Sequence, residues 1–321
     1  MHSSHPPLSP PLRRSVLLAA SLLTCISLAA GLASSAWAGE SRAARGTCTD
    51  PGPLDGVCDY LMDRKGVVQV ALFDQKTGRF AQLSEGDAPQ YTASIVKVDI
   101  LAHWLRRFQK RDVNIPNGIP YSIRYLMQRM IQNSDNAAAT SLFYFGGGCD
   151  ALTRFNARIP MNDTDVACET PNYYGWGNTT TSAPDQVRLM KAFAYGMPKV
   201  LGPDARSYGL DLMQGVEPDQ RFGISCGPWG NTCEPPNYAD PDPDVTVALK
   251  NGWKTLPTCT DPIAQCPWQV NSTGWVNGKG RNYVLTVLTT RDPVGSGGLY
   301  GFNYGIDTIQ GVSKVIWSNL N

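Results

Sequence analysis

Histidine is nearly missing from this chain of 321 residues: His2, His5 and His103 are all there are. The first two lie in an N-terminal segment that reads as removable, which leaves one imidazole for any chemistry. A metal site built on several histidines is excluded, and the cysteines form no C-x-x-C pairs that would suggest zinc. Charge is scarce too, at 17% of residues with a formal net charge of +1. No block of lysine and arginine runs through the chain, so nucleic acid is excluded as a partner. Long apolar runs are lacking except for one, Val16 to Leu32.

That run follows Arg13-Arg14 and precedes Ala36-Trp37-Ala38, a small-x-small cleavage site. Residues 1–38 therefore read as a signal peptide, cut before Gly39, and not as a membrane anchor, for which the run is too short and wrongly flanked. The arginine pair also fits twin-arginine export. Removing the segment takes away Arg13 and Arg14 and no acid, so the formal charge goes from +1 to −1. Of nine cysteines, Cys25 leaves with it. An even set remains in an exported chain, which argues for disulfides. Near-neighbour pairing gives Cys48–Cys58, Cys149–Cys168, Cys226–Cys233 and Cys259–Cys266 as the expectation.

What is present begins with patterning. Residues 39–58 read as an N-terminal lead and 59–321 as the folded domain. Val67 to Asp74 and Arg79 to Leu83 form a hairpin pattern around a polar turn. Ile95 to Phe108 has apolar residues at three- and four-residue steps, a helix. Ser122 to Met130 and Ala137 to Phe145 are two more helices. Gly146 to Gly177 reads as irregular. Helices follow from Ser182 to about Phe193 and from Tyr208 to Gln214, and a proline-rich excursion occupies residues 226–244. Val245 to Lys250 is a strand. Trp268 to Val276 and Tyr283 to Thr289 flank a hairpin turn at Asn277-Gly278-Lys279-Gly280, and Ile306 to Leu320 is a closing helix. Strands at both ends around a helical middle, about residues 110–215, predict an α+β fold whose antiparallel sheet is built from both chain ends.

Three short polar elements carry chemistry. Ser94-x-x-Lys97 is the only such pattern in the chain and opens a helix, so the lysine lies one turn on along the serine's face. A lysine there can take the serine's proton once burial or a neighbouring cation lowers its pKa. His103 sits about two and a half turns further along the same helix, too far to serve as that base. Ser134-Asp135-Asn136 lies between two helices, where a hydroxyl and an amide can face a cleft together. Lys250-Asn251-Gly252-Trp253 ends a strand, offering a cation and a glycine against which a substrate can lie. Lys76-Thr77-Gly78, by contrast, precedes Ser94 and belongs to a hairpin turn.

In that order the three elements resemble the penicillin-recognising serine enzymes of the class A β-lactamase type, defined by S-x-x-K, S-D-N and K-T-G. The resemblance covers roughly residues 60 to 320, and Asn178-Thr179-Thr180-Thr181 looks like that family's D-T-T-T segment. It implies Ser94 as nucleophile, Lys97 as base, Ser134 as proton shuttle and Glu169 as activator of the deacylating water. Asn136, Lys250, Asn251 and Gly252 would bind substrate, and the N–H groups of Ser94 and Trp253 would form the oxyanion hole. No cofactor is implied. The implied substrate is a β-lactam or a peptidoglycan peptide, and the implied state a secreted monomer. Two departures stand out. Asn251 replaces the family's threonine, and Glu169 is followed by Asn172 at three residues where the family has four. A D-alanyl-D-alanine carboxypeptidase, an esterase or other amidase, or a non-catalytic cell-wall binding domain would fit the same scaffold.

Overall fold

Val68, Val70 and Leu72 alternate with Gln69 and Ala71, and that alternation gives the sheet its two covered faces. In the computed structural model, which describes residues 50–84, 88–168, 174–197, 199–230, 241–256, 266–293 and 300–320, β1 (Val67–Asp74) pairs with β2 (Phe80–Ser84) in the expected hairpin. Its other edge pairs antiparallel with β7 (Arg281–Asp292), from Val67 opposite Thr290 to Asp74 opposite Tyr283. β6 (Trp268–Gly278) and β5 (Val245–Thr255) complete a five-stranded sheet in the order β2-β1-β7-β6-β5. Strands from both chain ends thus share one antiparallel sheet, and the fold is α+β.

One face is covered by α1 (Val57–Met62) and α8 (Tyr300–Asn319). Ile306, Ile309, Val312 and Ile316 point down from α8 onto Val70, Leu72, Leu285 and Val287, all fully buried. Leu54 joins the same cluster, so the chain enters the core ahead of α1. The other face packs against α2 (Lys97–Gln109) and the helices around it. α2 is buried almost all round, including Val98, Leu101, Leu105 and Phe108, as befits a helix at the centre of a fold. Each such side chain contributes about 1.5–3 kcal/mol on burial.

Around α2 lie α3 (Tyr121–Gln132), α4 (Asn136–Phe145), α5 (Gly148–Asn156), α6 (Ala183–Lys191) and α7 (Pro203–Gln214). α5 corrects the expectation of an irregular Gly146–Gly177. Leu152 and Phe155 are buried against the core while Thr153 and Arg154 face water, a single amphipathic face hidden in the sequence by the glycines before it. α7 begins at Pro203, a favoured first helical residue, earlier than its apolar pattern suggests. Ser182 caps α6 by accepting from Asp185 N, as expected.

Cys149 and Cys168 are joined, as their spacing suggested. Cys58, Cys226 and Cys266 are also disulfide-bonded, and their expected partners Cys48, Cys233 and Cys259 lie outside the described residues, as do residues 1–49. No described helix is long and apolar enough to cross a membrane.

Candidate active site

Ser94 sits in a 3-10 turn, Ala93–Val96, that feeds directly into α2. Three elements fix that turn. β3 (Gln90–Tyr91) pairs with β4 (Thr180–Thr181), and Thr92 N donates to Thr179 O at 2.7 Å. From β6, Asn271 Nδ2 donates to Tyr91 O at 2.9 Å and to Thr92 O at 3.1 Å. From β5, Gly252 lies flat against the turn. A Cβ at Gly252 would come within 2.6 Å of Ser94 N and 2.8 Å of Ile95 N and Thr92 O. This glycine is needed so that the strand can touch the nucleophile's own backbone, a closer constraint than room for substrate. Ala93, just before the serine, has φ +47°, a left-handed conformation that costs an L-residue about 1–2 kcal/mol and persists only where neighbours enforce it.

The helix then places Lys97 beneath Ser94, with Nζ 2.9 Å from Ser94 Oγ. The same nitrogen lies 2.6 Å from Ser134 O, 3.1 Å from Ser134 Oγ and 2.7 Å from Asn136 Oδ1. Ser134 reaches it from a left-handed residue (φ +56°) at the α3–α4 junction. Asp135 turns the other way. Its carboxylate caps α4 through Ala138 N at 2.9 Å and pairs with Arg129 at 2.9 Å, so it closes a helix end while its two neighbours face the lysine.

Lys250 approaches Ser134 from the sheet side, Nζ to Oγ 3.0 Å, and also donates to Asn251 O at 2.7 Å. Both lysines are fully buried. Burial first, and the charge of Lys250 second, pull the Lys97 amine down to about 6, with Asp135 opposing. Burial likewise holds Lys250 at about 7. Lys97 is therefore mostly a neutral amine at pH 7. Such an amine has two hydrogens and one lone pair, and a carbonyl (Ser134 O) and an amide oxygen (Asn136 Oδ1) can only accept. These two, the shortest contacts, take the hydrogens, which leaves the lone pair for the hydroxyl of Ser94. The arrangement can deprotonate Ser94 without any histidine; His103 Nε2 is engaged with Gly146 O at 3.0 Å.

β5 does not end at Lys250. It runs on to Thr255, so the Lys250-Asn251-Gly252 element lies in mid-strand, and alternation governs its side chains. Lys250, Gly252 and Lys254 face the Ser94 turn, whereas Leu249, Asn251 and Trp253 face the α8 side. Asn251 is buried there, with Nδ2 donating to Gln220 O at 2.8 Å and Phe222 O at 3.0 Å. Both amide hydrogens are taken, which removes the expected means by which Asn251 would hold a substrate carboxylate. The Trp253 ring packs on Phe222 and Phe302 at 5.6 and 5.5 Å.

Ser94 and Ser134 are half-buried and Asn136 is exposed, so the cleft opens on this side. Beside Lys97 lies a residue that sequence reasoning missed. Trp176 is buried, donates Nε1 to Thr140 Oγ1 at 3.0 Å, and sets its ring 5.0 Å from Lys97 Nζ. A lone tryptophan in a stretch rich in glycine and asparagine was its only sequence signal. Asn178, in the Asn178-Thr179-Thr180-Thr181 segment, accepts from Lys254 Nζ. Glu169 lies outside the described residues.

Residues 112–320 match the model of the beta-lactamase enzyme family. No curated protein matches the sequence. Among solved structures, the chain is similar to PBP-A at 19% identity and TM-score 0.62, covering 84% of this chain and 98% of that one. It is likewise similar to a class A beta-lactamase from Bacteroides cellulosilyticus at 16% identity and TM-score 0.64, covering 85% and 99%. A PBP-A mutant solved as an acyl-enzyme complex with penicillin G aligns at 20% identity and TM-score 0.60, covering 83% and 95%.

Proposed function

Since the chain belongs to the beta-lactamase enzyme family, we propose that it is an exported serine hydrolase that forms an acyl-enzyme through Ser94 on β-lactams or a related acyl substrate. The observation that carries this is the fully buried Lys97 Nζ 2.9 Å from Ser94 Oγ, a burial that lowers its pKa. Ser94 Oγ attacks the amide carbonyl while its proton passes to Lys97 Nζ. The N–H groups of Ser94 and Trp253 receive the developing oxyanion, a role supported by the close approach of Gly252, the residue before Trp253, to Ser94 N. Ser134 Oγ, within reach of both lysines, relays a proton to the leaving nitrogen as the C–N bond breaks. Asn136, its oxygen held by Lys97, turns its NH2 to a substrate carbonyl. Lys250 attracts the substrate carboxylate without help from Asn251.

Water then releases the acyl group, with Glu169 as the base that the family resemblance assigns. Asn172 follows Glu169 at three residues, not the family's four, and this altered spacing makes slow release the expected outcome. Intact-protein mass spectrometry over time with benzylpenicillin tests the reading. An adduct that forms and decays slowly, and that Lys97→Met forms at least 100-fold more slowly, is the expected result. No adduct, and no turnover of any amide or ester, refutes it.

A further inference from the structure

The side of α2 away from Ser94 carries a second feature. Arg106, Arg107, Lys110 and Arg111 at the end of α2 meet Arg154 of α5 and Arg158 just beyond it around a groove of about 310 Å³, also lined by Ala151, Phe155 and His103. Six cations thus converge in a protein whose 28 basic and 27 acidic residues nearly cancel. Arg106 donates to Val200 O at 3.1 Å and Arg107 to Phe145 O at 3.4 Å. The other four are exposed and have no side-chain hydrogen bond or ion pair among the described residues.

Basic residues at helix C-termini complement the helix dipole, and both α2 and α5 end here. That explanation falls short in magnitude. Each helix end carries about −0.5 charge, so two ends offset about one of the six. The surplus repulsion is visible on the neighbours: after burial, Arg158 is what lowers Arg106, and Arg107 and Arg154 lower His103 against its bond to Gly146.

We propose that this groove is a binding site for a ligand carrying two or three phosphate groups. Arginine dominates it, and guanidinium forks fit phosphate oxygens two at a time. Carboxylates would need about five groups to balance the charge in this volume, whereas phosphates at about −1.5 to −2 each need two or three. The source is a soluble oligophosphate, whose terminal groups carry this charge; lipid phosphodiesters, at about −1 each, would need about five headgroups, as carboxylates would.

The full chain is titrated with tripolyphosphate, followed by calorimetry and by the assigned imidazole NMR signals of His103, and floated with phosphatidylglycerol or phosphatidylcholine vesicles. Saturable binding that shifts His103 and weakens at least tenfold in Arg154→Glu/Arg158→Glu, but not in Lys314→Glu on α8, supports the site. Capture by phosphatidylglycerol vesicles without saturable tripolyphosphate binding overturns it, since it reports only the attraction of a basic face to an anionic surface. Melting curves qualify each variant, with Arg111→Glu used where the double variant is unstable. Binding to neither probe, or equal binding by wild type and the folded charge-reversal variants, overturns the proposal.

Discussion

Replacing Lys250 with methionine probes the electrostatics on which Lys97 depends. The two amines share Ser134 Oγ at 3.1 and 3.0 Å, so they are no more than about 6 Å apart. At an effective dielectric of about 20, two charges at that distance repel by about 3 kcal/mol, or roughly two pKa units. Burial supplies the larger part of the Lys97 shift and is unchanged by the substitution, so its pKa moves from about 6 to roughly 8, still below the ordinary 10.5. Only the neutral amine takes the Ser94 proton. Wild-type acylation by a fluorescent penicillin therefore rises about tenfold per pH unit below 6 and levels off above it. In Lys250→Met the rise continues to about pH 8. At pH 7 about a tenfold loss comes from protonation alone and is recovered by pH 9, while loss of carboxylate attraction lowers the rate below about pH 7, where Lys250 carries its charge. Stopped-flow acylation rates from pH 5 to 9 separate the two. A Lys250→Met profile with its limb still at 6 refutes the claim that Lys250 holds Lys97 neutral.

Gly252→Ala drives a Cβ into backbone atoms at 2.6–2.8 Å. Acylation then falls by about 100-fold as the Ser94 turn is displaced, with about 1–3 kcal/mol lost in denaturant titrations. Asp99, wholly buried on α2, has its carboxyl raised by burial to about 7 from 3.8. The unfolded chain releases this proton near 4 and the folded one near 7, so stability drains as pH rises through that window. Asp99→Asn removes the effect, and its stability gain over wild type grows from near zero at pH 4 to about 4 kcal/mol at pH 8; a constant difference refutes the assignment. Cys149–Cys168 spans 19 residues. Cys149→Ser/Cys168→Ser therefore loses about 3 kcal/mol by loop entropy, a fall in Tm of roughly 6–12 °C.

Much of the fold was legible because burial imposes period. β1, β2, β6 and β7 showed as apolar runs flanking turn signals, and α2 and α8 by their three- and four-residue apolar steps. α5 was not, since Gly146, Gly147 and Gly148 mask a helix whose buried face rests on little more than Leu152 and Phe155. The extent of β5 was hidden for a related reason. Asn-Gly is strong turn chemistry in isolation, yet eleven residue pairs with β6 override it. At the site, residue types indicated that Ser94, Lys97, Ser134, Asn136 and Lys250 could work together, and the fold brings their polar atoms within about 3 Å of one another in a chain. Side-chain direction was beyond reach of type and order. Asn251 fits the motif in line but turns its amide to Gln220 and Phe222. Trp176 joins Lys97 across a long stretch of chain by packing that no local pattern announces.

Ser94 as the acylated nucleophile is the central claim. Intact mass followed by peptide mapping after benzylpenicillin treatment tests it most directly, on wild type beside Ser94→Ala. The expected result is one adduct per wild-type chain on the peptide containing Ser94, with none on Ser94→Ala. An adduct that persists on Ser94→Ala, or maps to another peptide, contradicts it.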